Sequence, residues 1–261
     1  MKVLSWMRAR PKALASAAAV VAGTVAITTM AFAYEGNPTA KVDLNDGGVW
    51  ITKTSGLLVG HFNHESTVLD GGLRNGTDNF DIVQDAANVV VVDSGASTAT
   101  VIDPARVTMA DSTAIPGSAK VALGHQTAAI LDRKSGDLWV VPVKGLSAFE
   151  IKAADPTAEL GADADVAVAN DGTVFGLSPE RGEIVTVPVD NEGDALDPSA
   201  SSIGEIGGAE DATVTAVGST PVVLDPGAGV VITPGGIRTE IADASSAVLQ
   251  QSSAATDAVS V

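Results

Sequence analysis

Four groups of residues in this 261-residue chain have types and spacing that could do chemistry. In the first, an apolar run Val89–Val92 leads into Asp93-Ser94-Gly95 and then small residues. This is the local pattern of half a paired-carboxylate site for peptide hydrolysis. That reaction needs two carboxylates about 3 Å apart sharing one proton. No second Asp-Ser-Gly or Asp-Thr-Gly occurs in the chain. In the second group, His61-Phe-Asn-His64-Glu65 brings two of the three histidines close together. On a strand, positions three apart face opposite sides, and the order does not fit His-Glu-x-x-His. A solvated strand end or loop is the expected setting, with His125 alone in a turn.

The third group is acidic. Asp43-Leu-Asn45-Asp46-Gly47, Asp163-Ala-Asp165 and Asp190-Asn-Glu192-Gly-Asp194 offer oxygen ligands at short spacing. None completes a calcium loop with its distal Glu. No cofactor is therefore expected beyond weak calcium binding. The fourth is the whole set of 32 acids, among which paired carboxylates for glycoside hydrolysis are defined only by spatial separation. The sequence has no nucleophile elbow, phosphate loop or dinucleotide fingerprint. The absence of cysteine removes disulfides, thiolate metal sites and a cysteine nucleophile. No catalytic, cofactor-binding or metal-ligating residue is assigned.

The elements that position these residues are short. Runs of Val, Ile, Leu and Thr are broken by Gly, Asp, Asn and Pro, which reads as all-β. The same hairpin recurs. Leu131-Asp-Arg-Lys-Ser-Gly-Asp-Leu-Trp-Val-Val-Pro-Val143 parallels Leu177-Ser-Pro-Glu-Arg-Gly-Glu-Ile-Val-Thr-Val-Pro-Val189. Ile51–Val59, Val92–Val101 and Leu224–Ile232 are similar. The turns open at Thr52, Asp93, Asp132, Ser178 and Asp225, separated by 41, 39, 46 and 47 residues. Asp and Ser at such positions bond the backbone two residues on, so Asp93 is read as a turn opener.

A strand is expected before each hairpin, at Val42–Leu44, Phe80–Val83, Lys120–Leu123, Val166–Ala169 and Ala212–Ala216. Another is expected after it, at Ser66–Leu69, Arg106–Met109, Ser147–Ile151, Ser202–Ile206 and Ile237–Ile241. Four strands per repeat of this length is the spacing of a β-propeller-like repeat of four-stranded blades, about five here. A pair of β-sandwiches is the competing fold. Thr256–Val261 resembles an inner strand such as Asp165–Val168, so the repeat domain, residues 34–261, is expected to be truncated inside a further blade. Closure of a five-bladed ring by that strand is the alternative. Trp50 and Trp139 lie in hairpin strands and are expected to pack between blades.

Ahead of the repeats, Lys2, Arg8, Arg10 and Lys12 precede an uncharged run, Ala13–Ala33. As a helix it would extend about 31 Å, the thickness of a bilayer core. Residues 1–33 thus read as a signal anchor, or as a signal peptide cleaved after Ala31-Phe32-Ala33. The length favours the anchor. Cations before the run and acids after it predict an exported body attached to the membrane through residues 13–33. Cleavage would make it secreted. Removing the four leader cations leaves 11 basic and 32 acidic residues, a charge of −21. Such a surface repels nucleic acid, whose binding needs clustered Lys and Arg.

The leader, the Tyr34-Glu-Gly-Asn-Pro stretch and the Trp50-Ile-Thr-Lys-Thr-Ser-Gly hairpin resemble the N-terminal region of large actinobacterial surface proteins. In those, a membrane-anchored β-propeller is followed by fibronectin type III or immunoglobulin-like modules. The resemblance covers essentially the whole chain and transfers no catalytic residues; the downstream modules are missing here. It implies a non-catalytic binding or scaffold module presenting loops to a protein or cell-wall glycan partner. Two alternatives are a polysaccharide-degrading hydrolase or its accessory domain, by analogy alone, and a retropepsin-like aspartic protease acting through Asp93.

Overall fold

In the computed structural model, residues 48–252 are described. The expected leader 1–33, the inner strand Val42–Leu44 and the strand Thr256–Val261 lie outside them. The described chain forms antiparallel sheets in sequence order, each a meander. The first holds β1 (Val49–Lys53), β2 (Leu58–Asn63) and β3 (Val68–Arg74). The second holds β4 (Phe80–Asp85), β5 (Asn88–Asp93) and β6 (Thr98–Asp103). Its outer strand is split, with β7 (Thr108–Met109) and β8 (Thr113–Ala114) pairing opposite ends of β6. The third comprises β9 (Ala119–Gly124), β10 (Thr127–Asp132), β11 (Asp137–Pro142) and β12 (Ala158–Glu159). The fourth comprises β13 (Asp165–Val168), β14 (Val174–Ser178), β15 (Glu183–Val187) and β16 (Ser199–Ser202). The fifth comprises β17 (Thr213–Val217), β18 (Thr220–Asp225), β19 (Val230–Thr233) and β20 (Ile237–Glu240). This is the all-β, β-propeller-like array of blades that the repeat spacing predicts.

Strand alternation explains why the blades stack. Along β10, Ala128 and Ile130 point to the second sheet and cluster with its Val90 and Val92, beside Val121 and Val141 of their own sheet. Ala129 and Leu131 point to the fourth, among Leu138, Val166 and Val185. A strand covered on both faces must be apolar at every position, which is why these strands read as continuous hydrophobic runs rather than alternating ones. Small residues predominate because neighbouring sheets approach closely near the axis. Trp50 and Trp139 are buried as packing residues. Trp50 lies between the first and second sheets, and the Trp139 indole N–H donates to the Ala154 carbonyl.

Two expected outer strands are misplaced. Ser147–Ile151 is not a strand. The chain leaves β11 through a 3₁₀ turn, Val143–Ala148, and the outer strand comes later, at β12. Likewise the fourth outer strand is Ser199–Ser202, ahead of the expected Ser202–Ile206. The cause is the same in both places. The apolar residues that suggested a strand fill a wedge between sheets. Val143, Leu146, Phe149 and Ile151 pack between the second and third sheets, and Ile203 and Ile206 between the fourth and fifth.

Candidate functional site

The turn openers build one face of the molecule. In the second to fifth blades the turn between the second and third strands lies beside the loop that enters the first strand. The opener ties the two together. The Asp93 carboxylate, almost fully buried, accepts the Thr77 hydroxyl at 2.5 Å, the Asn75 side-chain amide at 2.7 Å and the Ala96 amide at 2.9 Å. Asp132 accepts the Ser118 hydroxyl at 2.5 Å and the Lys134 amide at 3.0 Å. The Ser178 hydroxyl donates to the Leu160 carbonyl at 2.5 Å. Asp225, fully buried, accepts the amides of Gly207 at 2.6 Å and of Gly208 and Ala228 at 3.0 Å. Only glycines permit this approach, since a Cβ on Gly227 would lie 2.6 Å from the Gly208 Cα.

Burial opposes ionisation of Asp93, but the Thr77 hydroxyl, the Ala96 and Gly95 amides and the Asn75 amide outweigh it and hold the carboxyl below its ordinary value. Asp132 behaves the same way. Burial raises its pKa, and the Ser118 and Ser135 hydroxyls and two turn amides bring it down. Asp93 is thus an ionised acceptor surrounded by donors, the setting of a turn brace. A proton-sharing pair needs a second carboxylate about 3 Å away, whereas the hydrogen bonds described for Asp93 come from a hydroxyl and amides.

The inner strands β4, β9, β13 and β17 line an axial channel of about 690 Å³. Register places equivalent residues at its mouth. Asp81, Lys120, Asp165 and Thr213 each stand opposite the residue just before a turn opener. Lys120 Nζ meets Asp165 Oδ1 at 2.6 Å, and Asp165 Oδ2 accepts the Val214 amide at 3.0 Å. One carboxylate, 2% exposed, therefore joins the inner strands of three blades. Between the first and second blades, Gln84 does the same. Its carbonyl accepts the Trp50 amide and its NH₂ donates to Gly48. Sequence spacing locates the openers, but Lys120 and Gln84 carry no local motif. Superposing the repeats would have put Lys120 and Asp165 at the same position.

The other candidate residues disperse. His61, expected in solvent, is buried. It lies in the interface with the second sheet, where Nδ1 meets Asp70 Oδ1 at 2.6 Å and the ring sits 5.1 Å from Trp50. His61 pairs with Gly71, and the bulge that follows leaves Asp70 as the extra residue beside it, which the sequence does not reveal. His64 is exposed in the following turn, and His125 adopts φ +53 in the turn after β9. Asp190 spends one oxygen on the amides of Glu192 and Asp194, while Glu192 pairs with Lys144 at 2.8 Å. The Asp43–Gly47 cluster lies outside the described residues.

No family model and no curated protein matches the sequence. Among solved structures, the chain is similar to dihydro-heme d1 dehydrogenase NirN in complex with DHE, at TM-score 0.54 and 11% identity. The match covers 78% of this chain and 45% of that one. It is also similar to Kluyveromyces lactis Hsv2, at TM-score 0.50 and 9% identity, over 74% of this chain and 59% of that one. Virginiamycin B lyase from Staphylococcus aureus is similar at TM-score 0.46 and 14% identity, over 75% and 67% of the two chains. At such identities the likeness is one of fold. The chain spans about half the length of the first two structures.

Proposed function

We propose that the chain is an extracytoplasmic, membrane-anchored propeller module that binds a protein or cell-wall glycan partner without catalysing a reaction on it. The observation that carries this reading is the set of braces at Asp93, Asp132, Ser178 and Asp225. They hold paired loops on one face of the blades, and rigidly displayed loops are the usual means of recognition on such scaffolds. The membrane part rests on the cationic flank and the uncharged run at 13–33. Among the described residues no helix is long and apolar enough to cross a membrane. The resemblance of the leader and first hairpin supports reading the module as the front part of a longer fibronectin type III-containing surface protein.

Two measurements test the proposal. Protease added to intact cells should cut the body of the protein while a cytoplasmic marker survives; protection of the body would overturn the location. The body, immobilised and washed with cell-wall glycans and surface proteins, should retain a partner and release no product. Turnover abolished by a single carboxylate-to-amide change would replace the binding reading with a hydrolase.

A further inference from the structure

Asn75-Gly76 is the one Asn-Gly pair in the chain. It lies in the loop from β3 to β4, where Asn75 ties two blades together. Its backbone N–H donates at 2.8 Å to the Leu57 carbonyl, in the hairpin turn of the first blade. Its side-chain Nδ2 donates to Asp93 Oδ2 at 2.7 Å, in the brace of the second, and to the Thr77 carbonyl at 3.1 Å. Asp132 accepts a side-chain hydroxyl where Asp93 accepts this amide, and Asp225 accepts backbone N–H groups. Among the described openers, only Asp93 relies on a side-chain amide.

We propose that Asn75 is a modification site, deamidated by attack of its own backbone, and that the product opens the Asp93 brace. The reacting groups are free where the reaction needs them. Gly76 is exposed, its N–H donates to no acceptor among the described residues, and a Cβ there would meet nothing within 4 Å. The nitrogen can turn toward Asn75 Cγ without giving up a hydrogen bond or a packing contact. The bonds of the side-chain amide hold Nδ2, the leaving nitrogen. Its Oδ1, where negative charge develops, is neither buried nor paired among the described residues. Attack closes a five-membered ring, so nucleophile and carbon meet within one chain segment.

The step balances with water alone. Water takes the Gly76 amide proton, the N–Cγ bond forms, the Cγ–Nδ2 bond breaks, and ammonia leaves with a proton from water. A second water adds to either carbonyl of the cyclic imide and breaks its C–N bond. The product is Asp or, with the backbone routed through the side chain, isoaspartate. One water is consumed overall and no electrons are transferred. Asp at position 75 sets a carboxylate where Nδ2 stood 2.7 Å from Asp93 Oδ2. Two carboxylates so close cannot both stay ionised cheaply, and one of them gains proton affinity. The damage is therefore greatest near neutral pH and shrinks as the pH falls and the pair takes its proton. Isoaspartate adds a methylene to the backbone of the same loop.

The full chain is held for days at mildly alkaline pH, digested in acid, and the peptide carrying residue 75 weighed. The expected result is a growing species about one dalton heavier that reacts as isoaspartate in part. Gly76→Ala places its Cβ in open space and should slow this gain several-fold while leaving the Tm unchanged. No gain at residue 75, or an equal rate in both proteins, would overturn the proposal. Asn75→Asp stands for the product and should lower the Tm by about 4–8 °C near neutral pH. That gap should narrow toward about pH 5. A Tm equal to the parent's, or a gap independent of pH, would overturn the effect on the brace.

Discussion

The first and third sheets share a hairpin rhythm but not an environment. The third is covered on both faces, and Ile130, Leu131 and Leu138 have no exposure at all. The first is covered on one face by the second sheet, and among the described residues its other face meets no sheet. The same pattern of Val, Ile and Leu thus does two jobs. Between blades it is core, and on the outer face of the first sheet it is exposed. Apolar content alone does not distinguish them, because the hydrophobic driving force depends on what lies within reach of the side chain.

The largest expected effect would sharpen this contrast. Leu131→Ala should destabilise the body by about 2–5 kcal/mol through a cavity between the third and fourth sheets. Ile51→Ala should cost less, because that residue is already 44% exposed. Urea titrations of the two variants compare them; equal losses would erase the distinction. Next in size is Asp225→Ala, expected to cost about 1–3 kcal/mol by leaving buried amides of Gly207, Gly208 and Ala228 without their acceptor. Thr52→Ala, at the half-exposed opener of the first sheet, should stay within about 0.5 kcal/mol. Urea midpoints read both.

A smaller effect follows from ionisation. The carboxyls of Asp93 and Asp132 are held below the usual 3.8. The folded state therefore binds their protons less readily than the unfolded chain does. Their contribution is complete above the unfolded value and is lost as the pH falls through the folded one. Stability should drop between about pH 5 and pH 2, and Asp93→Asn should flatten that drop. A curve of unchanged steepness would mean that the brace does not depend on charge. The smallest effect is at Lys144, whose pairing with Glu192 raises its pKa but is fully solvated. Lys144→Ala should leave the thermal midpoint within measurement error.

The repeat was legible because turn chemistry is local. An Asp or Ser at the opener and a Gly at the close specify a hairpin whatever surrounds it, so all five hairpins fall where their residues predict. The outer strands were less legible. Leu146, Phe149, Ile203 and Ile206 have strand-like composition, yet their positions are decided by a wedge between sheets that no local pattern encodes. The candidate site divides the same way. Asp93, Asp132, Ser178 and Asp225 announce themselves by alignment. Their partners Asn75, Thr77, Ser118 and Leu160 come from loops 14–18 residues away and become partners only when the meander folds back.

By itself, then, the sequence determined the all-β class, the blade period and the five hairpins. Each follows from side chains acting on their own backbone within a few residues. Only the tertiary structure decided that His61 is buried against Trp50 and Asp70, that Asp165 joins three blades, and that the outer apolar face of the first sheet is left exposed. Those outcomes depend on which sheet arrives beside which, and contact between distant segments is a property of the packed molecule.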